Sequence, residues 1–599
     1  MKLPIRNIAI IAHVDHGKTT LVDHLLKQSG TFRENEEVAD RMMDSMDLEK
    51  ERGITIAAKN CSFIYRDVKV NIVDTPGHSD FGGEVERILD MVDGAILLVD
   101  ASEGPLPQTR FVLGKALEKD LKLLVCVNKI DRPDARIDEV INEIFDLFCD
   151  LGASDEQTDF TAIYAIAKDG LATTDPSTPG KDLRPLFDHI IDDFPAPVGD
   201  PGAPLQILVS NIGYNNFVGR LAIGRVRNGT IRVGDTILVS KENGTKPIKV
   251  SALFSYKASE QVATEAIFAG DIAVVAGFDE INIGDSLTSA ENPMPLPRIK
   301  VDEPTVGVML AVNDGPFAGL DGKQVTSRKI RERLDKELLY NVAIRVENTD
   351  ATDTFKVLGR GELQLSVLFE QMRREGFEFT VSKPQVLYKK GDNGEKLEPM
   401  ESAIIDVEEE YVGAVTKKLG ERKGILNGMT NIGSRTRLEF AIPSRGLIGY
   451  RSEFLTDTRG TGLLNTQFAG FQDYKGEIKG RNTGAIIADR KGKATGYALN
   501  TLGDRGRLFI VPGVEVYEGM VVGEANKGID LNVNVTKEKK LTNIRASGSD
   551  DAIKLAPVKP MTLEEALEWI SDRELIEVTP HHIRIRCTHL NPHERKKFL

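Results

Sequence analysis

The stretch Ile8-Ala9-Ile10-Ile11-Ala12-His13-Val14-Asp15-His16-Gly17-Lys18-Thr19-Thr20 carries the strongest structural signal in the chain. Its first five residues are apolar without alternation, as in a strand of a parallel sheet covered on both faces. A helical pattern over Thr19 to Leu26 follows the polar residues. Strand, polar loop and helix together are the setting in which backbone N–H groups and a helix N-terminus converge on phosphates. In that reading Lys18 reaches the β- and γ-phosphates and the Thr19 hydroxyl ligates Mg²⁺, while Asp15, His16, Gly17 and Thr20 complete the cradle. The general phosphate-loop pattern begins with Gly, and Ala12 stands in its place.

Similar apolar runs recur outward from this stretch, at Val70 to Val73, Ala95 to Val99 and Leu123 to Val127, with a helical pattern at Asp138 to Phe148. Residues 1–200 therefore read as a doubly wound α/β domain. Asp74-Thr75-Pro76-Gly77-His78 follows the strand ending at Val73. A carboxylate at that strand end can hold Mg²⁺ through water, Gly77 can donate its N–H to a γ-phosphate, and His78 can orient the attacking water as the catalytic residue. Arg52-Gly53-Ile54-Thr55-Ile56 lies between these motifs. Thr55 there can ligate Mg²⁺ and touch the γ-phosphate only while that phosphate is present, which makes an order–disorder switch. Taken alone, the same segment fits an edge strand equally well.

Asn128-Lys129-Ile130-Asp131 follows the run Leu123 to Val127. The Asp131 carboxylate matches the N1–H and 2-amino groups of guanine, whereas adenine presents an acceptor there. Such a buried polar mismatch can discriminate by roughly 10⁴. Asn128 suits the base N7 and the Lys129 stem suits the ring face. With this motif an NTPase reading becomes a GTPase reading with GTP or GDP and Mg²⁺ as cofactors.

The chain has 599 residues, 41% hydrophobic and 28% charged, which is too long for one core and implies four or five domains. Pro- and Gly-rich residues 194–204 read as a linker, and 201–297 as a small β-barrel with turns at Asn228-Gly229, Gly234-Asp235, Asn243-Gly244 and Gly284-Asp285. Residues 298–390 and 391–479 each read β-α-β-β-α-β, the ferredoxin-like α+β plan. Residues 480–599 are β-rich, with a capping box at Thr562 and Glu565 and a polar segment, Asn526 to Asp551, that reads as a long exposed loop. The fold class is thus multidomain α/β.

A net charge of −14 argues against a generally basic nucleic-acid coat but leaves room for local basic patches. Lys417, Lys418, Arg422 and Lys423 form one such cluster, and Lys537, Lys539, Lys540 and Arg545 another. Both are candidates for RNA phosphate contact. The four cysteines are far apart, without metal-ligand spacing, and His581-His582 has no companion ligands. A nucleotide loop this close to the N-terminus leaves no room for a signal peptide, and the apolar runs are strand-length, so a cytoplasmic protein without membrane contact is expected.

These motifs, in this order, resemble the translational GTPases. Residues 218–226 are similar to the second domain of elongation factor G, and the ferredoxin-like pair to its third and fifth domains. The resemblance aligns Ile166-Ala167-Lys168 with the family's guanine-contacting Ser-Ala loop, where Ile166 replaces serine and the Ala167 N–H remains to face guanine O6. It also pairs Val14 and Ile54 as a hydrophobic gate beside His78. Elongation factor G carries a further inserted domain and no C-terminal domain of this kind. The tail of this chain, with Lys539-Lys540-Leu541-Thr542-Asn543-Ile544-Arg545-Ala546 and Thr588-His589-Leu590-Asn591-Pro592, resembles the BipA (TypA) family. That resemblance implies a monomer that binds the ribosome (70S and large subunit) and ribosomal RNA, with tRNA as a further candidate partner and with ribosome-stimulated hydrolysis. It further implies a role in large-subunit assembly and stress-adaptive translation. An elongation-type factor acting on translating ribosomes and tRNA is the alternative. No arginine finger is evident in the sequence, so slow intrinsic hydrolysis is expected.

Overall fold

The non-alternating apolar run becomes an interior strand of a seven-stranded sheet. Strands β1 (Ile5–Ala12), β2 (Lys59–Tyr65), β3 (Val68–Asp74), β4 (Gly94–Asp100), β5 (Lys122–Asn128), β6 (Thr161–Ile166) and β7 (Leu171–Thr173) are ordered β2-β3-β1-β4-β5-β6-β7. β1 runs parallel to β3 and β4, and β4, β5 and β6 continue in parallel, with antiparallel β2 and β7 at the edges. Alternate β1 side chains feed two cores. Ala9 and Ile11 pack on one face with the helices Pro107–Glu118 and Ile137–Asp150, and Ile8 and Ile10 on the other with helix α1 (Lys18–Gln28). Burial on both faces explains why the run carries no polar alternation.

The computed structural model describes residues 3–597, apart from 14, 32–46, 53–58, 75–81, 243, 300–302, 340, 342, 433–434, 479, 482, 539–557 and 559. The chain divides into two units, Met1–Asp302 with Leu339–Val342, and Glu303–Leu338 with Ala343–Leu599.

In the first unit a β-barrel follows the α/β domain, its strands lying between Gln206–Leu208 and Ser286–Ser289. Strand Gly219–Asn228 serves two cores at once. Ala222 and Val226 face the barrel interior, while Leu221 and Ile223, with Ile272, Val274 and Ala276, join the core of the α/β domain. Charged seams reinforce the joint. Lys69 donates to the Asp271 carboxylate at 2.8 Å, Asn71 donates to the same group, and buried Arg225 meets Asp93 at 2.7 Å.

In the second unit both β-α-β-β-α-β expectations hold. The first runs from Val306–Val312 through helix Ser327–Glu337, strands Arg345–Asn348 and Thr354–Gly359, and helix Glu362–Arg374 to Phe379–Val381. The second runs from Lys396–Glu408 through Glu409–Glu421, Ile425–Ile432 and Arg435–Pro443 to Leu463–Asp473. Its last helical stretch is broken into Ser444–Leu447 and Tyr450–Asp457. Gly449 sits between them at φ 69, and a Cβ there would lie 2.8 Å from the Glu568 carbonyl oxygen. The left-handed conformation and the close approach together require glycine.

Two features escaped the sequence. The first ferredoxin-like sheet does not end at Phe379–Val381. That strand pairs with Glu574–Val578, and the sheet continues through Ile583–Cys587, Met520–Ala525 and Gly484–Ala488 to Leu531–Val533. One core spans Leu310, Phe369 and Phe379 together with Ile487, Leu567 and Ile576. The second feature corrects the expected exposed loop from Asn526 to Asp551. Leu531–Val533 is a strand parallel to Gly484–Ala488, and Val533 and Val535 are buried. Val533 within the strand and Val535 just beyond it are the buried side chains that hold this short segment although the surrounding sequence is polar. Residues 539–551 of that segment lie outside the described residues. The capping box is formed, with Glu565 N–H donating to the Thr562 hydroxyl and Thr562 N–H to the Glu565 carboxylate.

Candidate functional site

The phosphate loop leaves the C-terminal end of β1 and enters α1 through Gly17, which caps the helix at φ 94. A Cβ on Gly17 would lie 2.4 Å from Asn128 Nδ2, so both the conformation and the neighbour exclude a side chain there. Asp15, also left-handed at φ 64, is exposed. His16 is fully buried beneath the loop. Its Nδ1 lies 3.4 Å from the Leu98 carbonyl oxygen and from the Asp100 nitrogen, and its Nε2 lies 3.4 Å from a Glu103 carboxylate oxygen. Beside His16 the Glu103 carboxyl titrates below its ordinary range. His16 thus ties the phosphate loop to the end of β4.

Lys18, at the first turn of α1, is buried and meets Asp74 Oδ1 at 2.8 Å. The ammonium expected at the phosphates and the carboxylate expected near the metal therefore stand together at adjacent strand ends. Thr19 and Thr20 follow, both half-buried. A hydroxyl and a carboxylate are hard oxygen donors and suit Mg²⁺. Val14, Ile54, Thr55, Gly77 and His78 lie outside the described residues.

The loop after β1 and the Ala167 turn are joined by one amide. Asn128, at the end of β5 and 1% exposed, donates from Nδ2 to the His16 carbonyl oxygen at 2.8 Å and accepts from the Ala167 N–H at 2.9 Å. Its motif assigns Asn128 to the base; in the fold it holds the phosphate loop and the Ala167 turn in one frame. Lys129 adopts φ 60, a strained conformation for a non-glycine residue of the kind found at functional sites. Its Nζ meets Asp100 Oδ2 at 2.8 Å, and the Ser102 N–H and hydroxyl meet Asp100 Oδ1. Burial opposes ionisation of Asp100, but Lys129 and Ser102 outweigh it and bring the carboxyl down to about 2.

Asp131 accepts from the Lys168 ammonium, whose charge holds the Asp131 carboxyl below its usual range. Ile166 ends β6, and Ala167–Asp169 forms a single 3-10 turn closed by Gly170. Sequence reasoning missed Asp100 and Glu103. The signal was present in the acidic pair Asp100 and Glu103 directly after a buried strand, the position matching Asn128 on the neighbouring strand.

Among the RNA candidates, Lys418 pairs with Asp457 at 2.8 Å, and Arg422 donates to the carbonyl oxygens of Gly446 and Ile448 and meets Glu453. Lys417, Lys423 and Lys537 are exposed. Lys539, Lys540 and Arg545 lie outside the described residues. No group of three or more His, Cys, Asp or Glu residues that could hold a metal occurs among the described residues. None of their helices is long and apolar enough to cross a membrane.

Comparison with known proteins agrees with this layout. Residues 3–196 match the elongation factor Tu GTP-binding domain and 219–288 match elongation factor Tu domain 2. Residues 395–482 match the elongation factor G C-terminus, and 483–592 the TypA/BipA C-terminal domain. The protein from Synechocystis sp. named large ribosomal subunit assembly factor BipA is 51% identical over 98% of this chain and 98% of its own. The proteins of that name from Escherichia coli K12 and Bacillus subtilis are 51% and 50% identical, over 99% of this chain and 98% and 97% of theirs. A crystal structure of a Thermus thermophilus protein superposes with TM-score 0.53 at 17% identity, covering 79% of this chain and 97% of that one, a likeness of fold alone. A nucleotide site framed by Asn128 in a chain related along its whole length to these proteins means that the chain belongs to the BipA (TypA) family of translational GTPases.

Proposed function

We propose that this protein hydrolyses GTP to GDP and phosphate while bound to the large ribosomal subunit and acts in the assembly of that subunit. The observation that carries the nucleotide half is the Asn128 bridge, which sets the phosphate loop and the guanine-reading turn in fixed register. The assembly half rests on the end-to-end relationship to proteins named for that role.

In this reading the backbone N–H groups of residues 15–20 and the Lys18 ammonium bind the phosphates. Asp131 accepts from the N1–H and 2-amino groups of guanine, and the Ala167 turn faces O6. Thr19 and Thr55, with Asp74 through water, would hold Mg²⁺, which when bound supplies charge neutralisation at the phosphates. Lys18 then exchanges Asp74 for phosphate oxygen. His78, next to the γ-phosphate-sensing Gly77, orients the attacking water, and Val14 and Ile54 flank it. Docking on the ribosome brings His78 into line, and exposed Lys417, Lys423 and Lys537 meet ribosomal RNA. The protein acts in the cytoplasm as a monomer. Sedimentation profiles of ribosomal subunits from depleted cells test the assembly reading. Accumulated large-subunit precursors, restored by the parent and not by Asp131→Asn, are expected. Normal subunits alongside altered decoding would replace it with an elongation-type role.

A further inference from the structure

The guanine-reading carboxylate has a built-in partner. Lys168 donates to Asp131 Oδ2 from the turn that follows β6. Ile166, two residues earlier, offers no side-chain donor, so in this turn the polar contact to Asp131 falls to Lys168.

An exposed ion pair ordinarily contributes little, because two long side chains must be immobilised in water. Lys168 is 67% exposed and Asp131 28%. Here the backbone beneath Lys168 is held on both sides. The Ala167 N–H donates to Asn128 Oδ1 at 2.9 Å, and the Gly170 N–H closes the turn on the Ala167 carbonyl oxygen at 3.1 Å. Gln28, the last residue of α1, donates to the Gly170 carbonyl oxygen at 2.8 Å and accepts from the Leu183 N–H at 2.8 Å. The helix that begins at the phosphate loop therefore grips the turn that carries Lys168. Only the two side chains, and not the backbone beneath Lys168, have to be ordered, which lowers the entropic cost of the pair.

We propose that Lys168 is a positioning residue for base selection: its ammonium fixes the Asp131 carboxylate in the orientation that reads guanine. This rests on the guanine-site reading above. A carboxylate oxygen has more than one acceptor site, so Oδ2 can keep Lys168 while the carboxylate accepts from the base. The consequence concerns the second hydrogen bond. Guanine offers N1–H and the 2-amino group, whereas hypoxanthine offers N1–H alone. A carboxylate free to rotate loses the paired contact before the single one, so loss of Lys168 weakens GTP more than ITP.

The experiment measures GTP, ITP and ATP binding to the full chain by calorimetry, for the parent, Lys168→Met and Lys168→Arg. Each variant is repeated in the Asp131→Asn background with XTP. Thermal melts confirm folding. In the parent, GTP binds more tightly than ITP and far more tightly than ATP. Lys168→Met lowers the GTP-over-ITP preference by roughly threefold to fivefold, the scale of an exposed ion pair. Lys168→Arg keeps it, and 1 M salt shrinks the difference. In the Asp131→Asn background Lys168→Met leaves XTP binding unchanged, because the amide carries no charge to hold. An equal loss of GTP and ITP, or an equal loss in both backgrounds, would show that Lys168 acts on the nucleotide directly and overturn the proposal. An unchanged Lys168→Met would also overturn it. A parent that does not distinguish GTP from ATP would overturn the guanine reading itself, and the proposal with it.

Discussion

At the scale of single residues, the site depends on side chains that bind each other as much as on those facing the nucleotide. Asn128 uses both ends of its amide on the protein. Asn128→Ala strands a buried carbonyl at His16 and a buried N–H at Ala167, each costing about 1–3 kcal/mol. GTP and GDP affinity should fall together by at least tenfold, with a lower melting temperature. Calorimetric titration of both nucleotides checks this, and a loss confined to GTP would point to a γ-phosphate role instead. Asp100 makes a pH prediction. Its folded carboxyl titrates near 2 against an ordinary 3.8, so its stabilisation is complete above the ordinary value and is lost as pH falls through about 2. Asp100→Asn should therefore melt below the parent at pH 5, and the gap should narrow on acidification toward pH 2.5. A gap independent of pH would mean that the Asp100 charge is not what holds Lys129.

At the scale of elements, pattern reading succeeded where one strand served one covered or half-covered sheet. It found β1 from its unbroken apolar run and both ferredoxin-like units from alternating segments. Leu531–Val533 is not legible as a strand, because three residues carry no period. The strand pair Phe379–Val381 and Glu574–Val578 joins segments nearly two hundred residues apart, and nothing local encodes that partner. Ile576 is fully buried at this join. Ile576→Ala should cost about 2–4 kcal/mol. Hydrogen exchange should then rise in Phe379–Val381 as well as in Glu574–Val578. Protection retained in Phe379–Val381 would show that the two segments do not share one cooperative core.

At the scale of the whole molecule, a net charge of −14 makes any RNA contact a matter of local clusters. Within the second unit, Lys418 and Arg422 are already engaged by carboxylates and carbonyls, which leaves exposed Lys417, Lys423 and Lys537 for phosphates. Changing these three to Ala should weaken ribosome binding and flatten its salt dependence, by somewhat under one unit of log–log slope per lost contact. GTP binding by the free protein should not change, because the nucleotide residues belong to the first unit. Pelleting with ribosomes across a salt series reads the slope, and an unaltered slope would leave these lysines as solvated surface.

The succession of matched domains, the GTP-binding character of the first and both β-α-β-β-α-β units were legible along the chain, because backbone period and turn chemistry act over a few residues. The sequence also marked Ile166 as a departure from its family's pattern. What Asn128 holds, the engagement of Asp131 by Lys168 rather than residue 166, and the anchoring of His16 by Glu103 emerge in the folded chain alone. The tertiary structure alone joined the first ferredoxin-like sheet to the C-terminal strands. Each of these is a contact between residues distant in the chain. Such contacts depend on where the folded elements place the two partners, and no local spacing carries that information.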